Sequence, residues 1–306
     1  MIAILGAGAV GCYYGGLIAA SGQEVVLIAK PQRAKIIREQ GLQIKWPTYI
    51  QHIQINVTDD YQVIQNAKAL FICVKANQST AVAKQIQPFL AKNTLVLSLQ
   101  NGLQNAARFA EILGRPIDVA MIYAALSMSA ENEVSYQGGG KLVLGRPIES
   151  DNADHDLNQL AGIFQRAACQ VSISSNITHD LWSKWIINCA FNALSALGQI
   201  NYQDLVQQTN IPEIIDAIVQ ECFSLAKAEK VSLDEQFILS QIQNVAINWP
   251  RQKSSMAQDL MAKRPTEIAE LNGLAQEKGT LFNVSTPMNT LLTTLIKMQE
   301  RLYLKC

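Results

Sequence analysis

Short apolar runs at 1–5, 24–29, 69–74 and 94–99 are separated by stretches with helical spacing, such as 79–90. Uninterrupted apolar runs of this length suit strands buried on both faces of a parallel sheet. The first run leads into Gly6-Ala7-Gly8-Ala9-Val10-Gly11 and then into a small-residue apolar helix that ends near Ser21-Gly22. Strands alternating with helices predict a doubly wound parallel sheet. From 118 to 144 the pattern becomes strands interrupted by Gly138-Gly139-Gly140, expected as antiparallel additions at the sheet edge. A polar, acidic stretch follows at 150–156, then a helix at 157–168 and a last short strand at 171–173.

After about Asn176 the strand signals stop. Helices are expected at 180–197, 211–229, 234–249, 255–273 and 286–304. Pro212 suits the start of one of them and Gly273 the end of another. The chain therefore reads as an α/β domain over 1–174 followed by an all-helical C-terminal domain over 175–306. It has no internal repeat and no low-complexity segment.

Within the first of these helices, Lys184, Asn188 and Asn192 stand at i, i+4 and i+8 among apolar residues. On a helix they share one face. The rest of that helix should be buried, and a buried ammonium with two amides is costly unless something satisfies it. A ligand pocket lined by the stripe is one explanation. A structural network, with Lys184 paired to a carboxylate, is the other.

Gly6-x-Gly8-x-x-Gly11 follows a strand and opens a helix, the setting of a Rossmann-type dinucleotide fingerprint. Gly6 allows a tight turn, Gly8 lets backbone approach a pyrophosphate, and Gly11 lets helix and strand pack closely. With Ala9 and Val10 these are the candidate cofactor-binding residues of the loop, where a helix N-terminus offers free N–H groups. The second strand ends in Lys30, with Arg33 nearby and no acid to take a ribose 2′-hydroxyl. Two cations favour a 2′-phosphate, hence NADP(H). Lys75 and Asn101 follow the strands at 69–74 and 94–99, where ligands of open sheets bind. As isolated features, the cations read equally as solvated loop charges, and Asn101-Gly102 as a turn.

Composition narrows the classes. The 306 residues are 49% hydrophobic and 16% charged, and 25 Lys+Arg balance 25 Asp+Glu. No basic field points to nucleic acid or to an anionic membrane. No apolar run reaches a membrane span. Cys12, Cys73, Cys169, Cys189, Cys222 and Cys306 form no CxxC and read as reduced thiols of a cytoplasmic protein. His52, His155 and His179 have no metal-ligand spacing, so no metal site is expected. The first strand opens at Met1, so no leader segment is expected. A monomer and a homodimer are both left open.

Ser255 and Gln258 have capping-box spacing, and Glu267 taken alone reads as a solvated helix charge. The set GAGAVG, VKANQ, QNG, KWIINCAFN and SSMAQDLMAKRPTEIAELNG resembles the ketopantoate reductase (2-dehydropantoate 2-reductase) family. The resemblance runs over nearly the whole chain in order, and its last two pieces are far more specific than the glycine motif. It implies a Rossmann-type N-terminal domain and a helical C-terminal one. It also implies NADPH-dependent reduction of 2-dehydropantoate to pantoate, a step of pantothenate and coenzyme A biosynthesis. Lys184 then matches the catalytic lysine and Glu267 the glutamate that helps hold substrate. Asn188, Asn192 and Ser255 match substrate-binding positions. Asn101 matches the asparagine near the nicotinamide and the lysine, and Lys30 and Lys75 match cations around the 2′-phosphate.

The chain departs from the family pattern at Ala193 (often Pro) and Ala269 (often Asp), and Asn201 fits a further substrate asparagine only with a one-residue shift. These departures bear on the substrate more than on the reaction. Two alternatives follow: a paralogous NADPH-dependent reductase of another small 2-oxo acid, and a non-catalytic NADPH-sensing protein. The second would need only the glycine loop and the cations, so Lys184 together with Glu267 argues against it.

Overall fold

The computed structural model describes residues 1–147 and 153–304, so part of the acidic stretch at 150–156 lies outside the described residues, as does Cys306. Two compact units divide the chain, Met1–Ile177 and Thr178–Cys306.

The first unit is built on one ten-stranded sheet. Its strands are β1 (Ile2–Leu5), β2 (Val25–Ile28), β3 (Leu42–Lys45), β4 (Ile50–Ile53), β5 (Asn56–Thr58), β6 (Ala69–Ile72), β7 (Leu95–Ser98), β8 (Asp118–Ala130), β9 (Glu133–Gly145) and β10 (Val171–Ile173). Its helices are α1 (Ala9–Ala20), α2 (Pro31–Gln40), α3 (Ser79–Ile86), α4 (Asn105–Leu113) and α5 (Ala153–Arg166). The spatial order is β4-β3-β9-β8-β7-β6-β1-β2-β5, with β10 also on β9. The expected strands form β1, β2, β6 and β7, all parallel to their neighbours. Every residue of β1, β2 and β6 is buried, as continuous apolar runs require.

The chain leaves β1 for β2 on one side and returns to β6 on the other. Such a reversal makes the carboxyl ends of β1 and β6 the place where open sheets bind ligands. Helix α1 packs on this sheet beside α5. Phe164 of α5 stacks on Phe71 of β6 and meets Tyr14 of α1 edge-on.

Two sequence expectations are corrected here. Gly138-Gly139-Gly140 do not interrupt the chain: β9 runs through them, and their positive φ angles absorb register shifts against β8. Nor do β8 and β9 end the sheet. They are antiparallel to each other, but β9 also pairs with β3 and β10. The base of this hairpin is tied down by Arg146, which donates to both oxygens of Asp118 at 2.6 and 2.8 Å and to Asp156 of α5 at 2.9 Å.

The second unit is helical: α6 (Ile177–Gly198, starting one residue before the boundary), α7 (Tyr202–Val206), α8 (Ile211–Ala228), α9 (Glu235–Asn248), α10 (Ser255–Met261), α11 (Asn272–Phe282) and α12 (Pro287–Arg301). Helices α8, α11 and α12 pack together. The expected single helix at 255–273 is split. Lys263 sits at φ +53° and Pro265 follows, so α10 stops and a 3₁₀ turn at Ile268–Glu270 precedes α11. Gly273 therefore lies at the start of α11 rather than at a helix end.

Candidate active site

In the first unit the glycine loop is backbone packed on backbone. Gly6 has φ +109°, and a Cβ there would meet Val74 N at 2.8 Å, so the loops after β1 and β6 touch. A Cβ on Gly11 would sit 2.0 Å from the Gly6 carbonyl oxygen. At Gly8 the same atom would meet nothing within 4 Å. Gly8 is also the N-cap of α1; it provides no side-chain cap, and no acid stands in the first turn. The first N–H groups of α1, around Ala9 and Val10, are thus presented beside open space with the positive end of the helix dipole. These residues fit the pyrophosphate of a dinucleotide.

The cations divide. Lys30 is exposed at the carboxyl end of β2 as the N-cap of α2. Arg33 is engaged: its Nη1 donates to Ala7 O at 2.7 Å and its Nε to Glu131 Oε2 at 2.7 Å. The guanidinium holds the Glu131 carboxyl below its ordinary pKa. Lys75 is exposed at the N-cap of the 3₁₀ turn after β6. Asn101 is half-buried after β7, and its carbonyl accepts from Asn105 Nδ2 at 2.5 Å. The sequence reading missed Gln100, whose Nε2 donates to Val74 O at 2.8 Å and to Ser79 Oγ at 2.9 Å. That side chain ties the loop after β7 to the loop after β6.

In the second unit, α6 carries the polar stripe. Trp182, Trp185, Ile186, Cys189, Ala190, Phe191 and Ala193 are buried around it. Lys184 and Asn188 keep partial exposure. Asn192 is buried, and its Oδ1 accepts from Tyr202 OH at 3.4 Å. Burial pushes the Lys184 ammonium pKa down to about 8, against the opposing pull of the Glu267 carboxylate. Lys184 and Glu267 are thus brought together, and the net direction that sequence leaves open is downward. Glu267 sits at the N-cap of the 3₁₀ turn before α11 and is half-buried, so it is not a solvated helix charge.

Ser255 lies at the first position of α10 with its side chain exposed. The cap is its neighbour: Ser254 Oγ accepts from Ala257 N at 3.0 Å and donates to Asn192 O at 2.9 Å. The capping-box expectation was therefore one residue late. Among the described residues no helix is long and apolar enough to cross a membrane, and no group of three His, Cys, Asp or Glu could hold a metal ion.

Residues 2–148 match the family Ketopantoate reductase PanE/ApbA, and residues 176–300 match Ketopantoate reductase PanE/ApbA C terminal. The chain belongs to the ketopantoate reductase family. A 2-dehydropantoate 2-reductase of Vibrio cholerae serotype O1 is 30% identical over 305 residues, 99% of each chain. The crystal structure of a PanE/ApbA family ketopantoate reductase from Ralstonia eutropha JMP134 is 37% identical with a TM-score of 0.90, covering 99% of both chains. D-mandelate dehydrogenase, solved with NADH and anilino(oxo)acetate, is 25% identical with a TM-score of 0.91, covering 99% of this chain and 98% of the other. The family makes this chain an oxidoreductase of the reductase/dehydrogenase kind, and its members span more than one substrate.

Gly8 and Gly11 separate binding from folding. Gly11→Ala forces backbone apart and should lower the melting temperature, by about 1–3 kcal/mol or more of stability. Gly8→Ala should melt like wild type yet lose dinucleotide affinity about tenfold or more, roughly 1.4 kcal/mol. Thermal melts and fluorescence titration of NADPH check both. Unchanged affinity in Gly8→Ala would move the phosphates away from this loop.

Proposed function

We propose that the chain is an NADPH-dependent 2-oxo acid reductase that converts 2-dehydropantoate to pantoate, with Lys184 as its general acid. The observation that carries the reading is a half-buried lysine on an apolar helix, with the Glu267 carboxylate acting on it. The reduced nicotinamide, when bound, supplies the hydride to the substrate's C2 ketone. Gly6, Gly8, Ala9, Val10 and Gly11 hold the pyrophosphate, Lys30 and Lys75 serve the 2′-phosphate, and Asn101 stands toward the nicotinamide end. Lys184 donates its proton to the ketone oxygen as negative charge grows there, and its positive charge favours that charge build-up. With a pKa of about 8 the ammonium is mostly protonated at neutral pH and still gives up its proton readily. Asn188, Asn192 and Ser255 bind substrate polar groups, and Glu267 both holds substrate and keeps Lys184 charged.

A second reading keeps this machinery and changes the substrate to another 2-oxo acid, aryl-substituted ones included. It is favoured by the similarity to D-mandelate dehydrogenase and by Ala193 and Ala269, where the family pattern often has other residues. Absorbance assays of NADPH and NADH oxidation against ketopantoate and a panel of alkyl and aryl 2-oxo acids separate the two readings. The first reading expects ketopantoate to give the highest kcat/KM.

Lys184→Ala should cut kcat by roughly 10²–10⁴ while NADPH still binds, and Lys184→Arg should not restore it, because guanidinium gives up its proton poorly. Turnover of Lys184→Ala within a few-fold of wild type would return the residue to a structural role.

Cofactor choice rests on Lys30, since Arg33 is engaged by Ala7 and Glu131. Lys30→Glu should weaken NADPH binding far more than NADH binding, because it sets a carboxylate against the 2′-phosphate. Equal affinities for NADPH and NADH in the wild type would refute the 2′-phosphate argument.

A further inference from the structure

The segment that bears Glu267 is fastened to α6 at two points. Trp185, next to Lys184, is fully buried, and its indole Nε1 donates to Glu270 O at 3.1 Å. The same residue is bonded in both directions, because Glu270 N donates to Glu267 O at 3.0 Å and closes the 3₁₀ turn. One turn along α6, the Cys189 carbonyl accepts from Asn272 Nδ2 at 3.0 Å. Trp185 and Cys189 are four residues apart, so both attachments lie on one face of the helix.

Asn272 is itself held from behind. Its Nδ2 also donates to Asn289 Oδ1 at 2.9 Å, and Asn289 Nδ2 donates to Glu221 Oε2 at 2.7 Å. The Glu221 carboxylate accepts the Met288 and Asn289 N–H groups at the start of α12, at 2.7 and 3.0 Å. A polar chain thus crosses the apolar interior from α8 through α12 and the start of α11 to α6. Asn272 is fully buried, and its Oδ1 has no hydrogen-bond partner among the described residues. An orphaned buried acceptor costs free energy. The amide's two donated bonds outweigh that orphan only where they hold the start of α11 against α6 and α12, which fixes the position of the 267–272 segment.

We infer that Trp185 and Asn272 are positioning residues, which set the Glu267 carboxylate against Lys184 by docking the 267–272 segment on α6. The inference rests on the catalytic reading of Lys184 given above. If the dock loosens, Glu267 pulls less on the ammonium and Lys184 loses its proton at lower pH. The Glu267 carboxylate acts on Lys184 and favours its charged form.

The test is the pH dependence of kcat in Trp185→Phe and Asn272→Ala, with Lys184→Ala alongside, using whichever oxo acid the wild type turns over best. Trp185→Phe keeps an aromatic ring and removes the N–H donor together with the second ring of the indole, so a thermal melt accompanies its kinetics. Both variants should bind NADPH as wild type does, lose about tenfold or more in kcat, and show the alkaline limb of activity at lower pH; displacement of a catalytic group by about 1 Å can cost up to roughly 10²-fold. Wild-type kcat and an unmoved alkaline limb in both variants, with Lys184→Ala inactive, would overturn the positioning role alone. Near wild-type turnover in Lys184→Ala would remove the catalytic reading and the positioning role with it.

Discussion

A half-buried ammonium on an apolar helix sets the terms for the helical half of this protein. Burial opposes the charge on Lys184, and the Glu267 carboxylate opposes burial. The balance leaves a pKa of about 8, low enough for ready proton donation and high enough for the charge to persist at neutral pH. The α6 residues around Lys184 are packed with Trp182, Trp185, Ile186 and Phe191, which exclude water. The break at Lys263–Pro265 ends α10, and the 3₁₀ turn that follows carries Glu267. An uninterrupted helix there would carry Glu267 at a different angle.

The sheet half presents its electrostatics in another way. It relies on backbone N–H groups and a helix dipole at Gly8 and the first turn of α1, where no acid intrudes. Arg33 is spent on the loop itself, fastening the Ala7 carbonyl to Glu131. Gln100 performs a similar service between the loops after β6 and β7. Lys30 and Lys75 stand exposed after β2 and β6. The two halves therefore place their electrostatics differently: a fixed helix dipole in one and a tuned side-chain charge in the other.

Much of this architecture is legible along the chain, for identifiable reasons. Strands β1, β2 and β6 announce themselves because burial on both faces leaves nothing but apolar residues, and β7 departs from this only at Ser98. The stripe Lys184-Asn188-Asn192 is legible because helical periodicity exposes any polar residue in an apolar helix. Strands β3, β4 and β5 were missed: they are three or four residues long, and polar residues such as Gln43, Gln51 and Asn56 dilute their signal. The end of α10 and the cap at Ser254 turn on local backbone choices, which spacing reads only to within a residue or more. Trp185 and Asn272 give no signal at all in one dimension. A tryptophan in an apolar helix reads as core, and its bond to a carbonyl 85 residues away appears only in three dimensions.

Lys184 carries a proton at neutral pH, with a lowered pKa that Glu267 keeps from falling further. Titration of the Lys184 side chain by NMR, with lysine isotope labelling and assignment by its loss in Lys184→Ala, measures this directly. The wild-type ammonium should titrate near pH 8, and in Glu267→Gln the midpoint should move lower. A midpoint near the unperturbed lysine value of about 10.4, or one that does not respond to Glu267→Gln, would contradict it.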